Sequence, residues 1–524
     1  MWAPEDEYKQ PLLYGNNSSG NNNNNYSKNN ANGGGKGKIV NESKCNDILF
    51  MLLFLATVIG MIVVSSYSFR NGQPQNLIPT NQIIEQLGNT TETVVIGQLQ
   101  NAVAQLKQDK DILIYSVIMA VALAAIWLEL LKRFTRFFIY ATLCLGVALV
   151  AVLGILFVML GRKESSEATQ IVGYCLAAST LLLICVIVYL KKNIDLTCAM
   201  YTETVRGIQN RPSVFGTAFI CIAVFLGFIT FWTASSVYLF SIPGEAVIQD
   251  SGSSEHTLLN LHFNTKIRNL MYFMIFAFFW VTAFISAVFQ HTVAGAVSNW
   301  YFSRDPTGES EVGSPNAFTS LGRALSTSLG SLAFGSLIIA FIEFMQAMLA
   351  ISKNSNSENK LVVMIISCLQ CILGCIESIL RWVNKFGYIY VAMHGYSFCT
   401  STKGCFDLIS RNMFSAVVMD FIGSFVLLLG KILGAAASAL FTTSVLYASG
   451  RSLNPLVIGL SAIFAFCIFN LFSHIIGIGS DTIFVCYLED LETNGPNNLY
   501  ISPDLHELLQ QESENSNQNK SQVV

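Results

Sequence analysis

The sequence predicts an all-α polytopic membrane protein of about ten transmembrane helices, and three observations predict it. Only 12% of the 524 residues are charged and 52% are hydrophobic, where a soluble domain carries about 25% charged residues. Apolar runs of about 20 residues, the length that crosses a bilayer, recur through the middle of the chain. The joints between most of them are short. The runs are therefore successive elements of one bundle, and the mean hydropathy of +0.50 agrees.

The expected spans are 48–69, 112–131, 137–160, 170–190, 213–240, 269–297, 328–351, 361–380, 413–440 and 456–485. The fifth and sixth are long enough to tilt. Between the eighth and ninth, residues 381–412 hold Phe386, Tyr388, Tyr390 and Phe398 but are too polar to span. Their aromatic residues suggest interfacial or re-entrant helices packed on the bundle before the ninth span. The domain plan is then a disordered cytosolic tail over 1–47, a transmembrane transporter domain over 48–488, and a second cytosolic tail over 489–524. The first tail contains five consecutive asparagines at 21–25, a composition that cannot bury enough apolar area to order itself.

An even number of spans leaves both tails on one side, and three signals place that side in the cytosol. Lys132, Arg133, Arg136, Lys191, Lys192, Arg206, Arg211, Arg381, Lys385, Lys403 and Arg411 all fall in joints on the tail side. Asn89, in Asn-Thr-Thr, is a glycosylation acceptor in the 70–111 loop, which is expected outside. The same outer face collects Glu85, Glu92, Glu245, Asp250 and Glu255.

Net charge of −3 with no dense basic cluster gives nucleic acid nothing to bind. Most of the 13 cysteines lie inside apolar runs, where thiols act as small hydrophobes. Cys368, Cys371 and Cys375 have near-metal spacing but no fourth ligand, and no cofactor signature is present. Enzyme motifs are missing too: no GxSxG elbow, HExxH or Walker loop occurs. Gly477-Ile-Gly479-Ser480-Asp481 approaches the GxGD of intramembrane proteases with one residue too many.

Ionisable residues inside spans are costly and mark function by default. Glu343 lies deep in the seventh span, with no basic residue in that run, and suits neutralising a cationic substrate or carrying a proton. Asp420 and Lys431 share the ninth span but lie about 16 Å apart by helical rise, so they cannot pair with each other. Gly430, Gly434 and Ser438, four residues apart, let a second helix approach closely, and Gly423 extends that groove. Aromatic residues crowd the fifth and sixth spans, among them Phe231, Trp232, Phe276 and Trp280. Such faces hold quaternary ammonium by cation–π attraction, worth about 2 kcal/mol or more when desolvated.

Five segments in order resemble the choline transporter-like family: HTVAGAVSNWYF at 291–302, SLGSLAFGSLIIA at 328–340, NKFGYIYVAMHGYSFCTSTKGCFDLI at 384–409, VMDFIGSFVLLLGKI at 418–432 and SDTIFVCYLEDLE at 480–492. The resemblance covers roughly 215–492. It implies a ten-span protein of the plasma membrane or an organelle, moving choline, or ethanolamine, without ATP. The chain departs from the family's animal members in its short, cysteine-free first outer loop. The reading that follows is transport of choline or a related small amine, facilitative or proton-coupled, within surrounding membrane lipids. Trp232, Phe231, Trp280 and Phe276 are expected to wall the ammonium group, with Glu343 or Asp420 supplying negative field. The rival reading is a non-transporting scaffold or lipid-organising protein, whose sign is a bundle without a central cavity.

Overall fold

The computed structural model describes residues 45–74, 110–163, 167–189, 191–242, 246–248, 261–263, 265–303, 316–355, 360–451, 454–495 and 500. Most of both tails and the loop bearing Asn89 lie outside the described residues, as do the outer-face acids named above.

The elements are α1 (Ile48–Asn71), α2 (Lys110–Lys163), α3 (Glu167–Tyr189), α4 (Lys191–Asn210), α5 (Ser213–Phe240), β1 (Ala246–Ile248), β2 (Leu261–Phe263), α6 (Thr265–Tyr301), α7 (Ala317–Ala324), α8 (Leu329–Ser355), α9 (Lys360–His394), α10 (Phe398–Ser410), α11 (Met413–Ala448) and α12 (Pro455–Asn494). Among the described residues, nine helices are long and apolar enough to cross a membrane. The protein is an all-α polytopic membrane protein. The two three-residue strands pair antiparallel between α5 and α6, with Ala246 opposite Phe263.

Helix α2 accounts for two of the expected spans. Its 54 residues are interrupted at Phe134, whose φ of −123° and ψ of 28° are not helical. The rings of Trp127 and Phe138 lie 4.8 Å apart. In an unbroken helix, eleven residues of rise would separate them by about 16 Å. The chain therefore bends sharply at Phe134, and each arm is long enough to span by itself. Thr202 of α4 donates to Thr135 Oγ1 at 3.1 Å beside the bend. Lys132 and Glu129 both bond Gln209 of α4 there, and Glu129 also pairs with Arg133.

The structure revises the 381–412 stretch. Residues 381–394 continue α9 without a break, and only α10 is a separate short helix. The apolar run ends near 380, but the helix does not, because Lys385 and Tyr390 find partners on other helices. Helix α12 likewise runs to Asn494, nine residues past its expected end.

One end of the bundle is tied together where the described chain begins. Asp47 adopts a left-handed backbone with φ of 55°, and its carboxylate accepts from the Ser331 hydroxyl at 2.7 Å and from Phe398 N at 2.8 Å. Asn46 donates to the Gly395 carbonyl at 2.9 Å. The starts of α1, α8 and α10 and the end of α9 thus meet at this amino-terminal end. Here α6, α9 and α12 run on to bury Trp300, Tyr301, Ile389, Phe484 and Val485 against α4.

The small-residue stripe on α11 is a packing groove. A Cβ on Gly430 would come within 2.7 Å of the Trp127 ring, one on Gly434 would strike Phe469 of α12, and one on Gly423 would strike the Tyr201 hydroxyl of α4. Ser438 continues the stripe by donating to the Ser461 carbonyl of α12 at 3.3 Å. Three neighbouring elements press onto one face because that face has almost no side chain.

Candidate functional site

The charges inside the bundle are organised by one helix. Glu377, Arg381 and Lys385 follow each other at four-residue spacing on α9, so they share a stripe. Arg381 bonds Glu343 of α8 and, at 2.6 Å, Glu377 of its own helix. Gln346 of α8 donates to Glu377 at 2.9 Å. One turn on, the Lys385 ammonium sits 3.1 Å from Asp420 of α11 and 2.8 Å from Asp481 of α12. Asn384 between them donates to the Gly335 carbonyl of α8 at 2.9 Å. Two cations on α9 therefore hold four carboxylates drawn from four helices.

These two cations were assigned above to a cytosolic joint; the structure instead seats them within a helix, against acids. Arg381 and Lys385 are the residues that sequence reasoning missed. The signal that marks them is the i, i+4, i+8 series of charges at the end of an apolar run. Asp420 is not matched by Lys431, as its distance along the helix required. Its partner comes from α9.

Beyond Lys385, the polar contacts continue towards the amino-terminal end. Tyr390 donates to Glu489 of α12 at 3.0 Å, His394 lies 3.7 Å from the same carboxylate, and Arg411 pairs with Glu492 at 2.9 Å. Helices α9 and α12 share few other contacts. What joins them is this row of polar contacts.

The aromatic residues fall into two groups. Trp280 is buried, with its indole N–H on the Ala333 carbonyl at 3.2 Å. Phe276 lies 5.8 Å from it and 5.6 Å from Phe344, the neighbour of Glu343 in sequence. Phe276 thus bridges Trp280 of its own helix to Phe344 of α8, while Trp280 meets α8 at Ala333, about 15 Å of helical rise from Glu343. Trp232 instead donates to the Met274 carbonyl at 2.9 Å and packs 4.5 Å from Phe278, while Phe231 faces Phe69 of α1 at 6.3 Å. The expected single wall of four aromatics is divided, for a geometric reason. Met274 and Phe276 are two residues apart, about 200° around α6. The helix turns one face to α5 and the other to α8.

Asp481, in the near-protease sequence, is spoken for by Lys385. Among the described residues, no group of three or more His, Cys, Asp or Glu could hold a metal ion. Cys368, Cys371 and Cys375 point outward from α9 and carry no pair.

Residues 174–492 match the family described as plasma-membrane choline transporter. The chain belongs to the choline transporter-like family. The match begins inside α3, earlier than the five segments alone reached. A CTL-like protein of Dictyostelium discoideum is 64% identical over 99% of this chain and 100% of its own length. Choline transporter-like protein 2 of the same organism is 27% identical over 73% of this chain and 63% of its own. Choline transporter-like protein 2 of Cavia porcellus is 28% identical, with 63% and 52% covered. The chain thus spans only about half to two thirds of the length of these last two relatives. Membership of this family gives the chain a transporter role in a membrane.

Proposed function

We propose that the protein carries choline or a related small amine, ethanolamine included, across the membrane, either passively or coupled to protons. The observation that carries this reading is the surplus of negative charge along α9. Four carboxylates, Glu343, Glu377, Asp420 and Asp481, surround two cations, Arg381 and Lys385. A net charge of two negatives in a low-dielectric bundle attracts a cation and repels an anion. Phe344, next to Glu343 in the chain, packs edge-on against Phe276, and Trp280 lies behind Phe276; these rings supply the faces that an ammonium group without N–H donors needs. The substrate cation sits between these rings and Glu343, while Asp420 and Asp481 line the path towards the amino-terminal end. Trp232 and Phe231 shape the α5 side of the bundle and act at one remove.

In this reading the amino-terminal end faces the cytosol, the membrane is the plasma membrane, and Asn89 carries glycan outside. The polar row from Lys385 to Glu492 closes the cytosolic end, and its contacts break when the path opens there.

Uptake of radiolabelled choline by liposomes containing the purified protein tests the function. Uptake above empty liposomes is expected, and its absence overturns the reading. Glu343→Gln and Trp280→Ala test the site. Each is expected to raise the half-saturating choline concentration about tenfold, equivalent to about 1.4 kcal/mol. If both leave it unchanged, choline binds elsewhere.

A further inference from the structure

Among the described residues, ten buried side-chain nitrogen and oxygen atoms have no hydrogen-bond partner within the protein, and four of them fall between positions 394 and 402. They are Nδ1 and Nε2 of His394 at the end of α9, and Oγ of Ser401 and Oγ1 of Thr402 on α10. A buried polar group without a partner gives up its hydration and gains nothing in return, so such groups are scarce in a settled interface. This interface is nonetheless closely fitted. The Thr402 hydroxyl lies against the backbone of Gly387 on α9, where a Cβ would strike it. A Cβ on Gly404 of α10 would come within 3.1 Å of the Tyr390 ring. Ser401 and Cys405 have no exposed surface. The His394 ring packs between Tyr390 at 4.2 Å and Tyr396 at 5.5 Å. The Glu489 carboxylate, 3.7 Å from its Nε2, accepts the Tyr390 hydroxyl instead.

The two ends of α10 are held differently. At its start, Phe398 N donates to Asp47, and the preceding Gly395 has a left-handed φ of 72° and takes Asn46 on its carbonyl. At its far end the polar tie is Arg411 with Glu492, whose side chains are 60% and 45% exposed. An ion pair so wet contributes little. The outward face, with Cys399, Lys403, Phe406 and Asp407, is exposed. A helix of 13 residues is thus pinned at one end, lightly tied at the other and uncovered along its back. Helix α11 follows directly and carries Asp420, the partner of Lys385, near its start.

We propose that α10 is the moving cover of the cytosolic end. It pivots at Phe398, parts from α9 along Thr402 and Gly404, and lets water reach His394, Ser401 and Thr402. The glycines make the closed contact tight enough to seal. The unpartnered atoms keep it from being too stable, because opening gives them back their hydration. The same swing pulls on the start of α11 and so on the Asp420–Lys385 pair, which links the cover to the charged row. The inference rests on the transport reading only in taking this end as cytosolic, and the motion is measured without substrate.

Cys405 reports the motion. It is buried beside Glu489, and burial, with that carboxylate adding to it, holds its thiol well above the ordinary range. It therefore reacts only when α10 lifts. The full-length protein in nanodiscs is treated with maleimide at neutral pH, and each cysteine is followed by peptide mass spectrometry. Cys399, on the exposed face of the same helix, is the open reference, and Cys198, buried in α4, reports unfolding. In the wild type Cys399 is expected to react first, Cys405 more slowly and Cys198 not at all. Ser401→Ala, Thr402→Val and His394→Phe remove the unpartnered atoms and keep the shape. Each is expected to slow Cys405 about fivefold, the weight of about one polar group, with Cys399 unchanged. Residues that merely held the contact together would give the opposite sign. The proposal is overturned if wild-type Cys405 stays silent while Cys399 reacts. It is overturned equally if Cys405 reacts as fast or faster in every variant that elutes as a single species. Choline uptake by liposomes is measured alongside. Uptake with Cys405 silent removes the cover alone, whereas the expected Cys405 pattern without uptake supports the cover and removes the transport reading.

Discussion

The second arm of α2 with α3 and the pair α11 with α12 are built from equally apolar sequence, yet they occupy opposite environments. The most apolar stretches of α3 and α11 have mean hydropathy of 2.6 and 2.1, but 12% of the first and 44% of the second are buried within the protein. Leu181, Leu182 and Val188 of α3 are more than half exposed. On α11, glycine and serine at 423, 430, 434 and 438 receive rings and backbone from other helices. Hydropathy cannot separate the two regions, because lipid and a protein core are equally apolar solvents for a side chain. What separates them is surface relief and buried charge. The pair α11 and α12 carries two of the four carboxylates around α9 and a groove filled by other helices, whereas the close glycine contacts of the α2–α3 corner, at Gly154, Gly161 and Gly173, stay within that pair.

The contrast breaks most visibly where charge is removed. Lys385→Met leaves Asp420 and Asp481 facing each other without a cation. Taking one partner from a buried pair costs about 3–5 kcal/mol. Lys385 and Asp420 are partly exposed, so the lower end of that range is expected, measured as a large fall in thermal stability of the purified protein. Adding Asp481→Asn to Lys385→Met is expected to restore part of the loss. If Lys385→Met alone is as stable as wild type, the ion pairs do not hold α9 to α11 and α12.

Adding one methyl group probes the relief. Gly434→Ala drives a Cβ into Phe469 and is expected to destabilise by about 1–3 kcal/mol, the usual cost of overpacking. Gly146→Ala in the second arm of α2 meets nothing within 4 Å and is expected to change stability by about 0.5 kcal/mol or less. Equal effects at the two positions would remove the distinction between core and corner.

A smaller effect is expected at Asp47, whose carboxylate caps the start of α10 through Phe398 N. Asp47→Ala should cost about 1 kcal/mol, as loss of a helix cap does, read as a modest drop in melting temperature. The smallest effect is chemical. Burial, with Asp195 nearby adding to it, pushes the Cys198 thiol of α4 up to about 12, and the residue is 2% exposed. Maleimide at neutral pH is therefore expected to leave Cys198 unmodified in the folded protein. Rapid labelling of Cys198 would show that α4 is not packed into the core.

The sequence showed less of the site than of the class. Glu343 and Asp420 stood out because a lone acid in an apolar run is conspicuous. Arg381 and Lys385 did not, because basic residues at the end of such a run look like an ordinary cytosolic joint. Only the continuation of α9 to His394 turned them inward. The aromatics misled in another way: Trp232 and Trp280 are both on long apolar helices, and nothing in spacing alone says that Trp232 of α5 meets one face of α6 while Trp280 lies on the other, against α8.

By itself, then, the sequence determined the membrane class, the ten apolar runs, the family and the small-residue face of α11. Each of these depends on composition or on helical periodicity, which act along the chain. The tertiary structure alone decided the bend at Phe134, the partition of aromatics and the four carboxylates gathered around two cations of α9. Those depend on which helix faces touch, and in an apolar solvent the touching is settled by shape and by buried charge, between residues as far apart in the chain as Phe69 and Phe231 or Lys385 and Asp481.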